Sequence, residues 1–180
     1  MRSGTNPQKA QKKIYLETDF RVVMVVFIPE VGGYYANSLK VFKLSLRSLI
    51  NSNNGNYKIT IVNNGSCAEV KEFLNSFTGE DIDSIIYHSK NIGKIDALIG
   101  AARGAREAFI TLTDADVLFL KGWCSATREV FNAFKKAGSV SPIPFRHGFY
   151  YGTSSVLKNI LLKKLKFQRL KIPENFADHN

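Results

Sequence analysis

Between residues 21 and 113 the apolar positions change their period in a regular rhythm. Residues 22–28 are an unbroken β-branched and apolar run, the pattern of a strand buried on both faces. From 38 to 50 the apolar side chains fall at Leu39, Phe42, Leu46 and Leu49, which is helical spacing. A second strand is predicted at 58–62, followed by the turn dipeptide Asn64-Gly65. Ser66 and Glu69 then carry the spacing of a capping box, ahead of Val70, Phe73, Leu74 and Phe77 on one helical face. A short strand at 85–87, a helix over 94–107 and a strand at 109–113 complete the series.

This strand–helix alternation with short connections predicts an α/β fold: a mainly parallel sheet flanked by helices. In such sheets ligands bind beyond the carboxyl ends of the strands, so the residues just after each strand carry the chemistry. Those are Pro29 and Glu30, Asn63 and Asn64, the segment 89–94, and Asp114 to Asp116. Gly100 and Gly104, set among Ala97, Ala101 and Ala105, predict close packing of the third helix. Trp123, Phe131 and Phe134 read as core or anchoring aromatics rather than sugar platforms.

The 180 residues, 44% of them apolar, suffice for one domain with a buried core, or for one domain and the start of another. No run approaches the roughly 20 apolar residues of a membrane-spanning helix. The first twenty residues are polar and basic, without the apolar centre of a secretory signal, and read as an arm. Cys67 and Cys124 have neither metal-site spacing nor a disulfide framework and read as reduced thiols of a cytoplasmic protein. A formal charge of +10 predicts attraction to something anionic without choosing among nucleic acid, lipid and phosphorylated sugars.

Asp114-Ala115-Asp116 narrows that choice. Residues two apart in extended chain point the same way, so both carboxylates can face one ligand. Mg²⁺ or Mn²⁺ accepts oxygen ligands of this kind, often only one or two carboxylates completed by substrate phosphates. Such an ion would offset the charge of a diphosphate leaving group. Asp81 and Asp83 have the same spacing but sit in a loop before a strand, and read as solvated carboxylates.

With the acidic pair placed, residues 21–123 resemble the family 2 glycosyltransferases, whose nucleotide-diphospho-sugar transferase fold is called GT-A. Four features carry the resemblance in order: the strand end Phe27-Ile28-Pro29, the turn Val62-Asn63-Asn64-Gly65-Ser66, the turn Asn91-Ile92-Gly93-Lys94 before an alanine-rich helix, and Asp114-Ala115-Asp116. The resemblance implies a nucleoside-diphosphate sugar as donor, a carbohydrate or lipid-linked hydroxyl as acceptor, and inversion at the anomeric centre. It implies Asp116 as main ligand of Mn²⁺ or Mg²⁺, with Asp114 at the donor ribose or the metal shell. Asn63 would meet the nucleobase, Lys94 would hold the nucleotide, and Ile28 and Pro29 would line the base pocket; Glu30, directly after, is a further donor-side candidate. The family usually has aspartate where Asn63 stands, and an amide donates as well as accepts, so base recognition departs from the common uracil pattern.

Beyond the acidic pair, Ser141-Pro142-Ile143-Pro144-Phe145 breaks regular structure and leads toward an acceptor-side region in which Arg146, His147 and Tyr150 are candidates. The sequence thus divides into an arm (1–20), a nucleotide-sugar-binding domain (21–145) and the start of an acceptor region (146–180). Residues 155–170 form a basic amphipathic stretch, which reads either as a helix packed on its own domain with a solvated face or as one lying on an anionic membrane surface, the latter putting a cytoplasmic protein in peripheral contact with the inner membrane face. By the resemblance, Asp178 stands as general base and His179 as a further metal ligand; family members commonly continue beyond this point, which implies an incomplete acceptor half. Two other classes set the contrast. A sugar nucleotidyltransferase would need a glycine-rich basic loop after the first strand, where Gly32 and Gly33 have no nearby cation. A nucleic-acid-binding module would concentrate its basic and aromatic residues on one face, and no nucleic acid partner is expected from these scattered lysines.

Overall fold

The computed structural model describes Gly4 and residues 16–54, 56–77, 81–142 and Leu162. The chain forms two compact units, Met1–Ala133 and Phe134–Asn180. In the first unit the elements run β1 (Phe20–Val26), α1 (Ser38–Ser52), β2 (Lys58–Asn64), α2 (Ala68–Asn75), β3 (Ser84–His88), α3 (Lys94–Ala102), β4 (Phe109–Asp114) and α4 (Trp123–Ala133), with a short 3-10 turn at Gly33–Tyr35. All three strand pairings are parallel, in the order β3-β2-β1-β4. The chain therefore moves outward from β1 to β3 and then crosses back to lay β4 on the other side of β1.

The period-two alternation of β1 sorts its side chains between two cores. Val22, Met24 and Val26 meet Phe42, Leu46 and Leu49 of α1, Val70 and Leu74 of α2, and Cys124 of α4. Val23 and Val25, with Val62 of β2, meet Ala97 and Leu98 of α3. A strand covered on both faces must be apolar throughout, which is why 22–26 shows no alternation in sequence. Trp123 lies against Phe20, Tyr57 and Phe119 with ring centroids 5.2–5.6 Å apart, and Phe131 stacks at a tilt 5.2 Å from Phe109. Both are packing aromatics, as the sequence suggested. Cys67 and Cys124 are free thiols, and burial pushes both above the ordinary thiol range.

Four local expectations are corrected. β1 leaves the ladder after Val26, where the pairing with β2 ends, so Phe27 and Ile28 continue outside the sheet. The capping box does not form: Cys67 occupies the cap position, and the Ser66 hydroxyl is instead consumed at the end of β1. Helix α3 stops at Ala102 rather than 107, closing with tight turns onto Gly104 and Ala105. Gly100 faces open space, so the close packing on the sheet belongs to Ala97 and Ala101 and not to the glycines.

Asp83 also has a more definite role than a solvated loop carboxylate. Arg21 of β1 donates to Asp83 (2.6 Å), to Thr60 of β2 (2.8 Å) and to Glu107 before β4 (2.7 Å). This cluster ties the starting ends of the strands, away from the end where ligands are expected. No helix among the described residues is long and apolar enough to cross a membrane.

Candidate functional site

The chain proceeds to opposite sides of β1, to β2 on one side and to β4 on the other, and a crevice lies at the carboxyl ends of the strands at that switch point. It holds a cavity of about 510 Å³. One wall is apolar, built by Val25, Val26, Phe27 and Ile28 of the β1 extension with Val41 and Phe42 of α1. The other is polar, built by Asn64, Asn91, Lys94, Asp114 and Asp116. Tyr35, Asn37 and Ser38 close the side where α1 begins.

Each wall is fixed by hydrogen bonds that the strand ladder no longer supplies. The Ile28 amide donates to the Ser66 hydroxyl (3.1 Å), and the Cys67 amide donates to the Ile28 carbonyl (2.9 Å). The extension past β1 is thereby laced to the turn after β2. On the polar side, Asn64 reaches across to the loop before α3: its amide donates to Asn91 Oδ1 (2.9 Å) and the Gly93 carbonyl (3.2 Å), and its Oδ1 accepts from the Ile92 amide (3.0 Å). Asn91 Oδ1 also accepts from the Gly93 amide (2.8 Å). Gly93 holds φ at 92°, a left-handed conformation that suits glycine, and it aims the start of α3 into the cavity.

The charged residues follow from this frame. Lys94, the first residue of α3, places its ammonium 2.6 Å from Oδ1 and 2.7 Å from Oδ2 of Asp114. Asp114 ends β4 on the α3 side of the sheet; Ala115 and Asp116 form a turn rather than the extended chain expected from the spacing, and Asp116 lines the same cavity, exposed. The segment behind the pair is pinned to α1: the Ser45 hydroxyl donates to the Val117 carbonyl (2.7 Å), and the Phe119 amide donates to the Ser48 hydroxyl (2.9 Å). Two such bonds contribute on the order of 1 kcal/mol each. The sequence held one signal for this: Ser45 falls beside Phe42, Leu46 and Leu49 on the buried stripe of α1, where a hydroxyl requires a partner.

Of the residues singled out in sequence, the fold brings Ile28, Lys94, Asp114 and Asp116 together in one cavity. Pro29 and Glu30 are exposed and do not line it. Asn63 is not on the wall either. It is fully buried, its Oδ1 accepts from the Ser66 amide (2.9 Å), and its Nδ2 has no partner. Adjacent strand residues point to opposite faces, so Asn64 takes the α3 side with Asp114 while Asn63 turns toward α1 and α2. Arg146, His147, Tyr150, Asp178 and His179, and all of the amphipathic stretch at 155–170 but Leu162, lie outside the described residues.

Residues 35–179 match the sequence profile described as Glycosyl transferase family 2. The chain belongs to that family. No curated protein shows significant sequence similarity to it. Its fold is shared with a crystal structure of S. aureus TarS 1–349, at 14% identity and a TM-score of 0.52, covering 70% of this chain and 38% of that one. A second crystal structure of S. aureus TarS gives 14% identity and a TM-score of 0.50, covering 69% of this chain and 23% of that one. The chain thus spans well under half the length of these structural neighbours, and the expectation of a GT-A sheet in this family is met.

As a family 2 chain it is compared naturally with a divalent-cation site, and the residues present fit one of an open kind. Among the described residues no group of three or more histidine, cysteine or acidic side chains converges. The donor set is two carboxylates with one residue between them, which suits a hard ion completed by phosphate oxygens and water rather than an all-protein cage.

Proposed function

We propose that the cavity binds the nucleoside-diphosphate part of a sugar donor, and that the protein of which this fold is part transfers the sugar to a hydroxyl acceptor. What carries the reading is the meeting of an apolar wall, one lysine and the Asp114/Asp116 pair in a single cavity at the sheet's switch point. The nucleobase stacks on the wall of Phe27 and Ile28. Asn64, which lines the cavity where Asn63 does not, takes the place beside the nucleoside as the centre of a hydrogen-bonded frame. The diphosphate meets Lys94 and the amides that open α3, where the helix dipole favours anions. Asp116, with Asp114, would hold Mn²⁺ or Mg²⁺, which when bound offsets negative charge on the leaving diphosphate.

The acceptor side of the proposal rests on the family alone. Asp178 would take the proton of an attacking hydroxyl, giving inversion, and His179 would add a metal ligand. Carbohydrate or lipid-linked acceptors fit a polysaccharide or glycolipid pathway, and the basic stretch 155–170 would attract an anionic membrane surface from the cytoplasmic side.

Calorimetric titration with UDP and with GDP, each with and without Mn²⁺, tests the donor site. One of the two is expected to bind, and to do so measurably only with the cation. Asp116→Ala should weaken that binding by at least about tenfold, since it removes one of two protein ligands. Nucleotide binding that is indifferent both to Mn²⁺ and to Asp116→Ala would remove the metal from the mechanism.

A further inference from the structure

Lys94 straddles Asp114, its ammonium within 2.7 Å of both carboxylate oxygens. Asp116 has no hydrogen-bond or ion-pair partner among the described residues. The two acidic residues of the cavity are therefore unequal: one is free to receive a cation, and the other is already occupied by one.

We infer that Lys94 and a divalent cation are alternative occupants of Asp114, and that a nucleoside diphosphate exchanges one for the other. This rests on the donor-site reading above. An ion bound between Asp114 and Asp116 would sit within a few ångströms of the ammonium, and two positive charges at that distance repel unless an anion lies between them. Nothing locks the lysine in place. Its side chain is 55% exposed and that of Asp114 is 47% exposed, so the pair is held loosely. A four-carbon stem with rotatable donors can swing to a neighbouring anion without moving the backbone. Gly93 and the hydrogen bonds of Asn64 and Asn91 fix where that stem starts, at the edge of the cavity.

The consequence is a coupling between two ligands. Without nucleotide, Lys94 competes for Asp114 and keeps cation affinity low. When a diphosphate enters, its oxygens draw Lys94 away, and Asp114 is released to the metal. By linkage, the cation then strengthens nucleotide binding by the same factor. Departure of the diphosphate returns Lys94 to Asp114 and ejects the ion, so the site does not retain metal between cycles.

Two measurements on the full chain test this. Mn²⁺ is titrated by electron paramagnetic resonance in the absence of nucleotide, for wild type, Lys94→Met and Lys94→Arg. UDP or GDP affinity is then read by calorimetry at saturating Mn²⁺. Lys94→Met is expected to bind Mn²⁺ alone about two- to tenfold tighter than wild type, the range of a loosely held ion pair plus one removed repulsion. The same variant should bind the nucleotide more weakly. Lys94→Arg, which keeps a cation on Asp114, should stay near wild type in the first measurement. Opposite signs in the two measurements are not what general loss of structure produces. If Lys94→Met gains no Mn²⁺ affinity while wild type binds nucleotide with Mn²⁺, the exchange is refuted and the donor site survives. If wild type binds neither nucleotide with Mn²⁺, the donor-site reading falls and the inference with it.

Discussion

Gly65→Ala is expected to lower the melting temperature by about 10 °C and to loosen the polar wall of the cavity. Gly65 follows β2 with φ at 81°, where a side chain costs roughly 1–2 kcal/mol. A Cβ there would lie 2.6 Å from the Asn91 amide nitrogen, 2.7 Å from the Lys90 carbonyl carbon and 3.0 Å from Lys90 Cα. All three are backbone atoms, so no side-chain rotation relieves the overlap, and overpacking of this kind adds about 1–3 kcal/mol. Together these come to about 3 kcal/mol, which for a domain of this size is a shift on the order of 10 °C.

The effect should be local as well as global. The backbone that the new methyl would strike is the loop that Asn64 holds through Asn91, Ile92 and Gly93. Pushing it outward lengthens those bonds and carries Lys94 away from Asp114. Thermal unfolding gives the global loss, and amide hydrogen exchange at Ile92 and Gly93 reports the local one. A variant that melts within about 2 °C of wild type, with those amides still protected, would show that the two turns separate freely.

The same contact explains why part of the site was legible in sequence and part was not. Asn64-Gly65 announces a turn, and the turn is there; that its glycine is pressed against a second loop is a property of the fold. Asp114, Asp116 and Lys94 were legible because they directly follow or open regular elements, and parallel order brings such positions to one edge. Asn63 and Asn64 show the limit. They are neighbours of one residue type, and only the face each takes decides which reaches the cavity. That depends on register against β1, where Val25 pairs with Val62 and Val26 with Asn63.

Helix ends and hydroxyl groups were harder still. Ser66 stands where a capping residue would stand, yet its hydroxyl goes to Ile28, 38 residues earlier. A local motif lost to a long-range partner because β1 ends in unpaired backbone that must bond somewhere. Likewise α3 has the composition to continue to 107, but Glu107 is held by Arg21 and the chain must turn to enter β4.

Arg21→Met should cost about 3–5 kcal/mol at neutral pH, and that cost should shrink as the solution is acidified. The guanidinium links Thr60, Asp83 and Glu107, and the Glu107 side chain is only 2% exposed. Removing the cation leaves a buried carboxylate without its counter-charge, which is among the more damaging single changes a protein can suffer. In the wild type the Arg21 hydrogen bond holds Glu107 below its ordinary value of 4.5. A carboxyl whose folded value is depressed contributes stability above its unfolded value, and that contribution is lost as pH falls through the folded value. In the variant burial acts on Glu107 without that partner, so the group takes up a proton more readily and the penalty fades in acid. The stability gap between wild type and Arg21→Met, from urea midpoints, should therefore be wide at pH 7 and narrower near pH 4.5. Nucleotide affinity of the folded variant should be unchanged, because Arg21 lies at the starting end of β1 and the cavity at the other. An equal gap at both pH values would mean that Arg21 acts through packing of its stem and not through its charge.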